Sequence, residues 1–371
     1  MEALARARNL LLGSAIILVA IGIVMIFSAS AIYALDKMND SLYFLKRHMA
    51  YLAVGIFAGN IAARANLQAL RRHAKPALIA GLVLLVLVLI PHVGSSTGGA
   101  RRWFKVAGFS FQPSEYMKIA ILFYLADFLD RRREELGDFK RTVVPALFVL
   151  GMASGLIFLQ PDLGTAVTIA FVAFTLFFAA GFRITHLLAV IVPALPALVF
   201  AMLAKPYRRK RLLAFFDPWD DPRGVGFQII QSFLALGSGG LFGVGLGRSQ
   251  QKLFYLPESH TDFIFSIIGE ELGFLGAGMV VLLFIVFIFA GMVIVFRARN
   301  HFSQLFSLGL VTLIGLEAAI NIGVSTGALP TKGLSLPFIS YGGTALVANL
   351  IAVGFLVNLS KERPPDEAAG A

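Results

Sequence analysis

The stretch LPESHTDFIFSIIGEELGFLGAGMVVLLFIVFIFAGMVIVF, residues 256–296, decides the fold class. From Phe263 onward it is apolar for longer than the ~20 residues a helix needs to cross a hydrocarbon core of ~30 Å. Yet Glu258, His260 and Asp262 crowd its start, and Glu270 and Glu271 lie inside it. A carboxylate at membrane depth costs about 2.5 to 3.5 kcal/mol even on a lenient scale, so it needs a partner or a wet cavity.

Working outward, the same ruler finds about ten such runs: 9–33, 48–63, 76–92, 113–130, 142–159, 164–181, 184–204, 263–296, 302–325 and 342–359. Over the 371 residues, 58% are hydrophobic and 14% charged, against about 25% charged in an ordinary soluble domain. Mean hydropathy is +0.81. The runs are too long for barrel strands, so the expected fold is an all-α polytopic membrane protein with about ten transmembrane helices, a single domain over 1–371. Run 9–33 follows Arg6 and Arg8, but it is too long for a signal-peptide core and reads as a retained span.

Basic residues set the orientation. Alternate loops starting at the N-terminus hold 16 Lys and Arg, and the opposite short loops hold seven. The positive-inside rule then places both termini in the cytoplasm and the long 205–262 loop, with LPESHTD, outside it. The net charge of +11 is explained by this topology and by anionic headgroups, not by nucleic acid. Without cysteine, disulfides and thiolate metal sites are excluded. No phosphate-binding Gly-x-x-x-x-Gly-Lys-Ser/Thr motif occurs. GSGGLFGVGLG, 237–247, reads as flexible loop or close backbone packing, and no inverted repeat marks a transporter.

Several ionisable residues carry two readings each. Glu115 and Lys118, three apart, form either a structural ion pair or part of a cavity wall. Asp162 in QPDLGT either caps the next helix or contacts a ligand. Ser259-x-x-Asp262 fits a capping box, with Asp262 at the positive end of a helix dipole that would keep it ionised. Against that, Asp262, Ser266, Gly269, Glu270 and Gly273 form a narrow polar and small-residue stripe, expected to line something wet. Glu270 lies about 12 Å below Asp262 along it. An ionised carboxylate here could act as a general base, or Asp262 and Glu258 could hold a divalent cation, magnesium or manganese. NIGVSTGALPTKGLSLPFISYGG, 321–343, breaks the span pattern with prolines, glycines and Lys332. It is expected to be a re-entrant wall beside Asp262, an ordinary outer loop being the alternative.

At these residues the sequence resembles the SEDS family (shape, elongation, division and sporulation) of peptidoglycan polymerases. The likeness is carried by GARRW (99–103), FQPSEYMK (111–118), QPDLGTA (160–166), YRRKRLLAFFDPWDDP (207–222), residues 231–274 and LPTKGLSLPFISYGG (329–343). It is closer to the cell-division (FtsW) branch than to the elongation (RodA) branch. Thr344 stands where the family has Ser, and Ser259 occupies a variable position.

The resemblance implies a glycosyltransferase that joins lipid II into glycan strands on the outer face of the bacterial cytoplasmic membrane. Asp262 would be the general base for the acceptor 4-hydroxyl and undecaprenyl pyrophosphate the leaving group. It also implies a class B penicillin-binding protein and division-complex membrane proteins as partners, with no nucleotide, haem or flavin. Arg101, Arg102, Lys118, Arg208, Arg211 and Lys332 are candidates to meet the pyrophosphate. Glu115, Asp162, Glu258, His260, Thr261 and Ser340 complete the candidate substrate contacts. Two other activities fit the architecture: a lipid II flippase, with its key charges near the midplane, and a non-catalytic scaffold in which Asp262 only caps.

Overall fold

The computed structural model describes residues 2–97, 99–106, 108–203 and 206–361. Its helices are α1 (Glu2–Met38), α2 (Tyr43–Ala62), α3 (Leu67–Arg71), α4 (Ala74–Leu87), α5 (Pro113–Arg131), α6 (Val144–Leu159), α7 (Leu163–Ala180), α8 (Ile184–Leu203), α9 (Pro206–Phe216), α10 (Phe227–Gly239), α11 (Ile264–Phe296), α12 (His301–Ser325) and α13 (Gly343–Leu359). Each of the ten apolar runs folds as a helix. Among the described residues, α1, residues 139–159, α7, α11 and α12 are long and apolar enough to cross a membrane, and α4, α13 and part of α8 are shorter apolar helices. Many large apolar side chains face outward, Phe57, Phe148, Phe178, Phe200 and Phe289 among them, as expected of a bundle surrounded by lipid rather than water.

The all-α expectation misses one element. Residues 95–111 form a small antiparallel sheet, β1 (Ser95–Thr97), β2 (Ala100–Val106) and β3 (Phe109–Phe111), in the order β1-β2-β3. β2 is seven residues, ARRWFKV, too short to register beside helices of twenty. The Tyr51 hydroxyl, accepting from the Ser110 N–H at 2.7 Å and donating to its carbonyl at 2.9 Å, fixes β3 to α2. Thr344 Oγ1 donates to the same carbonyl at 3.0 Å, so the residue that departs from the family pattern keeps a hydroxyl's function.

Two close backbone approaches organise the bundle. α2 crosses α13 at Gly59 and Gly354, where a Cβ on Gly354 would lie 2.2 Å from the Gly59 carbonyl oxygen. Only glycine permits that separation. The second approach is at Gly273, whose φ of 69° and ψ of −168° interrupt α11. A broken helix in a membrane must have its freed backbone groups satisfied by protein. Here the 240–245 segment supplies the partners: Val244 and Gly245 N–H donate to the Glu270 and Glu271 carbonyls at 2.9 and 3.1 Å, and Phe274 and Leu275 N–H donate to the Gly240 and Leu241 carbonyls at 2.8 and 3.1 Å. The glycine-rich stretch is therefore close backbone packing rather than flexible loop.

This break also accounts for two of the carboxylates inside α11. Glu270 accepts from the Ser249 hydroxyl and from the Gln250 N–H at 2.8 Å. Glu271, with no exposed surface, accepts from Lys252 Nζ at 2.7 Å and from the Ser28 hydroxyl of α1. Ser232 and Ser266 hydroxyls meet at 2.6 Å, and Gly239 packs on the Gly269 carbonyl. The stripe running down from Asp262 thus faces α10 and its following loop, not a wet groove, which corrects the sequence expectation. Removing one partner of a buried ion pair leaves a charge uncompensated, at about 3–5 kcal/mol. Lys252→Met is therefore expected to lower the melting temperature in detergent markedly, and adding Glu271→Gln should recover much of the loss.

Candidate active site

A cavity of about 540 Å³ lies where several helix ends converge at one end of the bundle. Five irregular or short segments line it, β2, the 160–163 turn, α9, the 258–263 turn and residues 330–335, together with side chains of α5, α10 and α12. Of the 321–343 segment, residues 321–325 end α12, and 330–335 lie beside Asp262 as a cavity wall. Three successive carbonyls of the 260–262 turn are taken by that segment and by α12. The Tyr341 N–H donates to His260 at 2.9 Å, the Ser340 hydroxyl to Thr261 at 2.6 Å, and Asn321 Nδ2 to Asp262 at 2.8 Å.

Asp262 does not cap α11. The N-cap is Phe263, with no side-chain hydrogen bond, so the Ser259-x-x-Asp262 box is not formed. The Asp262 carboxylate accepts no hydrogen bond among the described residues and opens into the cavity. Gly333 closes on it, since a Cβ there would stand 3.1 Å from Oδ2. Burial and, next, the Glu258 carboxylate push the Asp262 pKa up to about 7, with Arg211 and Arg102 opposing. Glu258 is itself in the left-handed region, φ 55°, and its carboxylate accepts from the Thr261 hydroxyl at 2.7 Å.

The cavity gathers Arg102, Glu115, Lys118, Asp162, Arg211, Glu258, Thr261, Asp262 and Lys332. Lys118 sits buried on the floor between Glu115, at 2.7 Å, and Glu317 of α12, so the ion-pair and cavity readings both hold. Asp162 likewise does both: it caps α7 by accepting from the Thr165 N–H at 3.2 Å, and it lies 3.8 Å from Arg102. Arg102 is anchored to the Gln160 carbonyl at 2.9 Å and to the Pro161 carbonyl. Arg211 and Lys332 face the cavity without an ion pair among the described residues, and burial pushes the Lys332 ammonium below its usual value.

Three expected contacts lie elsewhere. Arg101 is exposed beside Arg102, because neighbouring side chains on a strand point to opposite faces. His260 is buried among Phe44, Tyr33 and Tyr341, at centroid distances of 4.6, 5.7 and 6.0 Å, where burial pushes its pKa down. Ser340 braces the Thr261 carbonyl instead of lining the cavity. A fourth, the Arg208 side chain, lies outside the described residues. Conversely, Gly333, Trp103, Gln112 and Gln228 line the cavity without having been singled out. They carry no charge and so do not stand out against an apolar sequence.

No group of three or more His, Asp or Glu that could hold a metal ion occurs among the described residues. Asp262 and Glu258 nevertheless share the cavity, which suits an ion that takes one or two carboxylates and fills its shell with substrate phosphate and water.

The helical bundle and this ionisable cavity define a multi-pass membrane protein with a site at one end. A family model described as "Cell cycle protein", for FtsW, RodA and SpoVE, matches residues 8–364. The chain belongs to that family. It is 44% identical to the probable peptidoglycan glycosyltransferase FtsW of Geobacter metallireducens, over 93% of this chain and 92% of the relative. It is 43% identical to stage V sporulation protein E of Bacillus subtilis, over 93% and 94%. Among solved structures, one described as "Structural coordination of polymerization and crosslinking by a peptidoglycan synthase complex" superposes with a TM-score of 0.78 at 33% identity, over 95% of this chain and 96% of that one. The rod shape determining protein RodA from Thermus thermophilus gives 0.69 at 27%, over 95% and 96%.

The charges around Asp262 make its titration testable. The folded chain holds the proton up to about 7 and the unfolded chain only to about 3.8. This group's contribution to stability is thus present below that lower value and lost as pH rises through 7. An infrared carboxylic-acid band absent from Asp262→Asn should titrate near 7. Glu258→Gln should move the midpoint down and Arg211→Met should move it up.

Proposed function

We propose that this chain is a peptidoglycan glycosyltransferase that polymerises lipid II, with Asp262 as general base. The carboxylate takes the proton of the acceptor sugar's 4-hydroxyl as that oxygen attacks the donor's anomeric carbon. The bond to undecaprenyl pyrophosphate breaks, and its electron pair leaves with the phosphate oxygen. Arg211 and Lys332 take up the developing charge, because they are the cavity cations without a carboxylate partner among the described residues. Preorganised cations aimed at a leaving group are commonly the largest contribution to such a step. Bound at Asp262 and Glu258, magnesium or manganese would add to this neutralisation.

The observation that carries the proposal is an aspartate at a helix start that forgoes the cap and opens into a cavity with unpaired cations. A pKa near the working pH suits a general base. The relatives' names as peptidoglycan glycosyltransferases support the substrate class. The basic-residue count supports a site facing outward, and the bacterial relatives support a cytoplasmic membrane location. The likeness to a synthase complex that coordinates polymerization and crosslinking supports a class B penicillin-binding protein as partner, and the FtsW relatives support a place among division-complex membrane proteins.

A flippase reading would need the deep charges to be reached from both faces. Instead Lys118 is closed between two carboxylates, and the separate cavity of about 350 Å³ near Arg6 and Arg297 shares no lining residue with the first.

With purified chain, partner and lipid II in detergent, glycan products resolved by length report activity. Asp262→Asn should lose at least about 100-fold in polymerisation while keeping partner binding. The parent rate should rise with pH through about 7, because the ionised form is the base, and level off above. An Asp262→Asn variant as fast as the parent would overturn the assignment.

A further inference from the structure

We infer that Asn321 is a positioning residue for Asp262: its carboxamide fixes the start of α11 one residue after the aspartate, keeping the carboxylate out of the helix and in the cavity. The inference rests on the reading of Asp262 as the base.

Asn321 lies on α12, buried at 2% exposure, and does not line the cavity. Its Nδ2 donates to the Asp262 carbonyl at 2.8 Å and to the Leu334 carbonyl at 2.7 Å. Both amide protons are thereby used, and Oδ1 has no partner among the described residues. A flipped carboxamide would set oxygen against two carbonyl oxygens, so the orientation is fixed. Leu334 follows Gly333, the residue that closes on the Asp262 carboxylate. One amide thus spans both walls at the point where they meet the reacting group.

What the clamp prevents follows from capping preference. Aspartate is among the strongest N-cap residues and phenylalanine caps nothing, yet Phe263 holds that position here. The first helical bonds run from the Ser266 and Ile267 N–H groups to the Phe263 carbonyl, at 3.0 and 3.4 Å. The Asp262 carbonyl is left outside the ladder, with Asn321 as its partner. If the helix started one residue earlier, that carbonyl would take the Ser266 N–H, and the carboxylate would turn to the N–H groups of the first turn. Asn321 competes for the carbonyl and so holds the register in which the side chain is free.

A positioning role predicts a split in kinetics. Asn321→Leu keeps volume and removes both donors; kcat should fall on the order of 10- to 100-fold, as for small misplacements of a reacting group. KM should stay within about twofold, since no substrate contact is lost. Should Asn321→Leu not fold, Asn321→Ser reads the same split. The control is Asn358, whose Nδ2 makes an equivalent double clamp to the Ala62 and Ala65 carbonyls, at 2.8 and 2.7 Å, at the other end of the bundle. Asn358→Leu should leave kcat per folded molecule unchanged. Parental kcat in the Asn321 variant beside an inactive Asp262→Asn would overturn the clamp alone. A raised KM at parental kcat would do the same. An active Asp262→Asn would overturn the base assignment and the clamp with it.

Discussion

Backbone amides and carbonyls that leave a helix inside a bundle must find partners in the protein, and that constraint governs both ends of the upper α11 segment. At Gly273 the partners are backbone groups of residues 240–245. At Asp262 they are the Asn321 amide, with the Ser340 hydroxyl and Tyr341 N–H serving the two preceding carbonyls. Between these tie points lies a short helical segment whose start is set by its neighbours rather than by its own capping residues. The site exists because that start falls at Phe263 and not at Asp262.

The carboxylates of residues 256–296 then separate by task. Glu270 and Glu271 are consumed in holding the 249–252 turn against α1 and α11. Asp262 keeps its oxygens free, and its proton affinity is raised by burial and by Glu258. On the cavity floor, Lys118 is shared by Glu115 and Glu317, which leaves it little capacity to neutralise a substrate. Arg211 and Lys332, one on α9 and one on the re-entrant segment, are better placed to meet a leaving anion. In the proposed reaction the acid-base and charge-neutralising halves therefore come from different elements around one cavity.

Much of this was legible in the sequence because membrane depth makes charge conspicuous. Each apolar run marked a helix, though the short helices α3, α9 and α10 lie outside them, and the charges placed against the runs led to Asp262, Glu115, Lys118 and Asp162. The broken pattern of 321–343 marked the re-entrant wall. What remained hidden depended on contacts between residues far apart in the chain. Nothing local distinguishes Glu270 from Asp262 along a shared helical stripe; the difference is that α10 and the 249–252 turn cover one and not the other. His260 read as polar but packs as an aromatic ring. Asn321 and Gly333 carry no charge, so their importance appears only when Asp262 is placed between them. The small sheet at 95–111 fell below the length at which a strand announces itself.

The central claim is that the Asp262 carboxylate, free of its helix, meets the acceptor sugar in this cavity. The most direct measurement is a structure of the chain with a lipid-linked acceptor bound. The sugar's 4-hydroxyl oxygen is expected within about 2.6–3.2 Å of an Asp262 carboxylate oxygen. An acceptor bound elsewhere, or an Asp262 side chain folded back onto the first-turn amides of α11 in that complex, would contradict it.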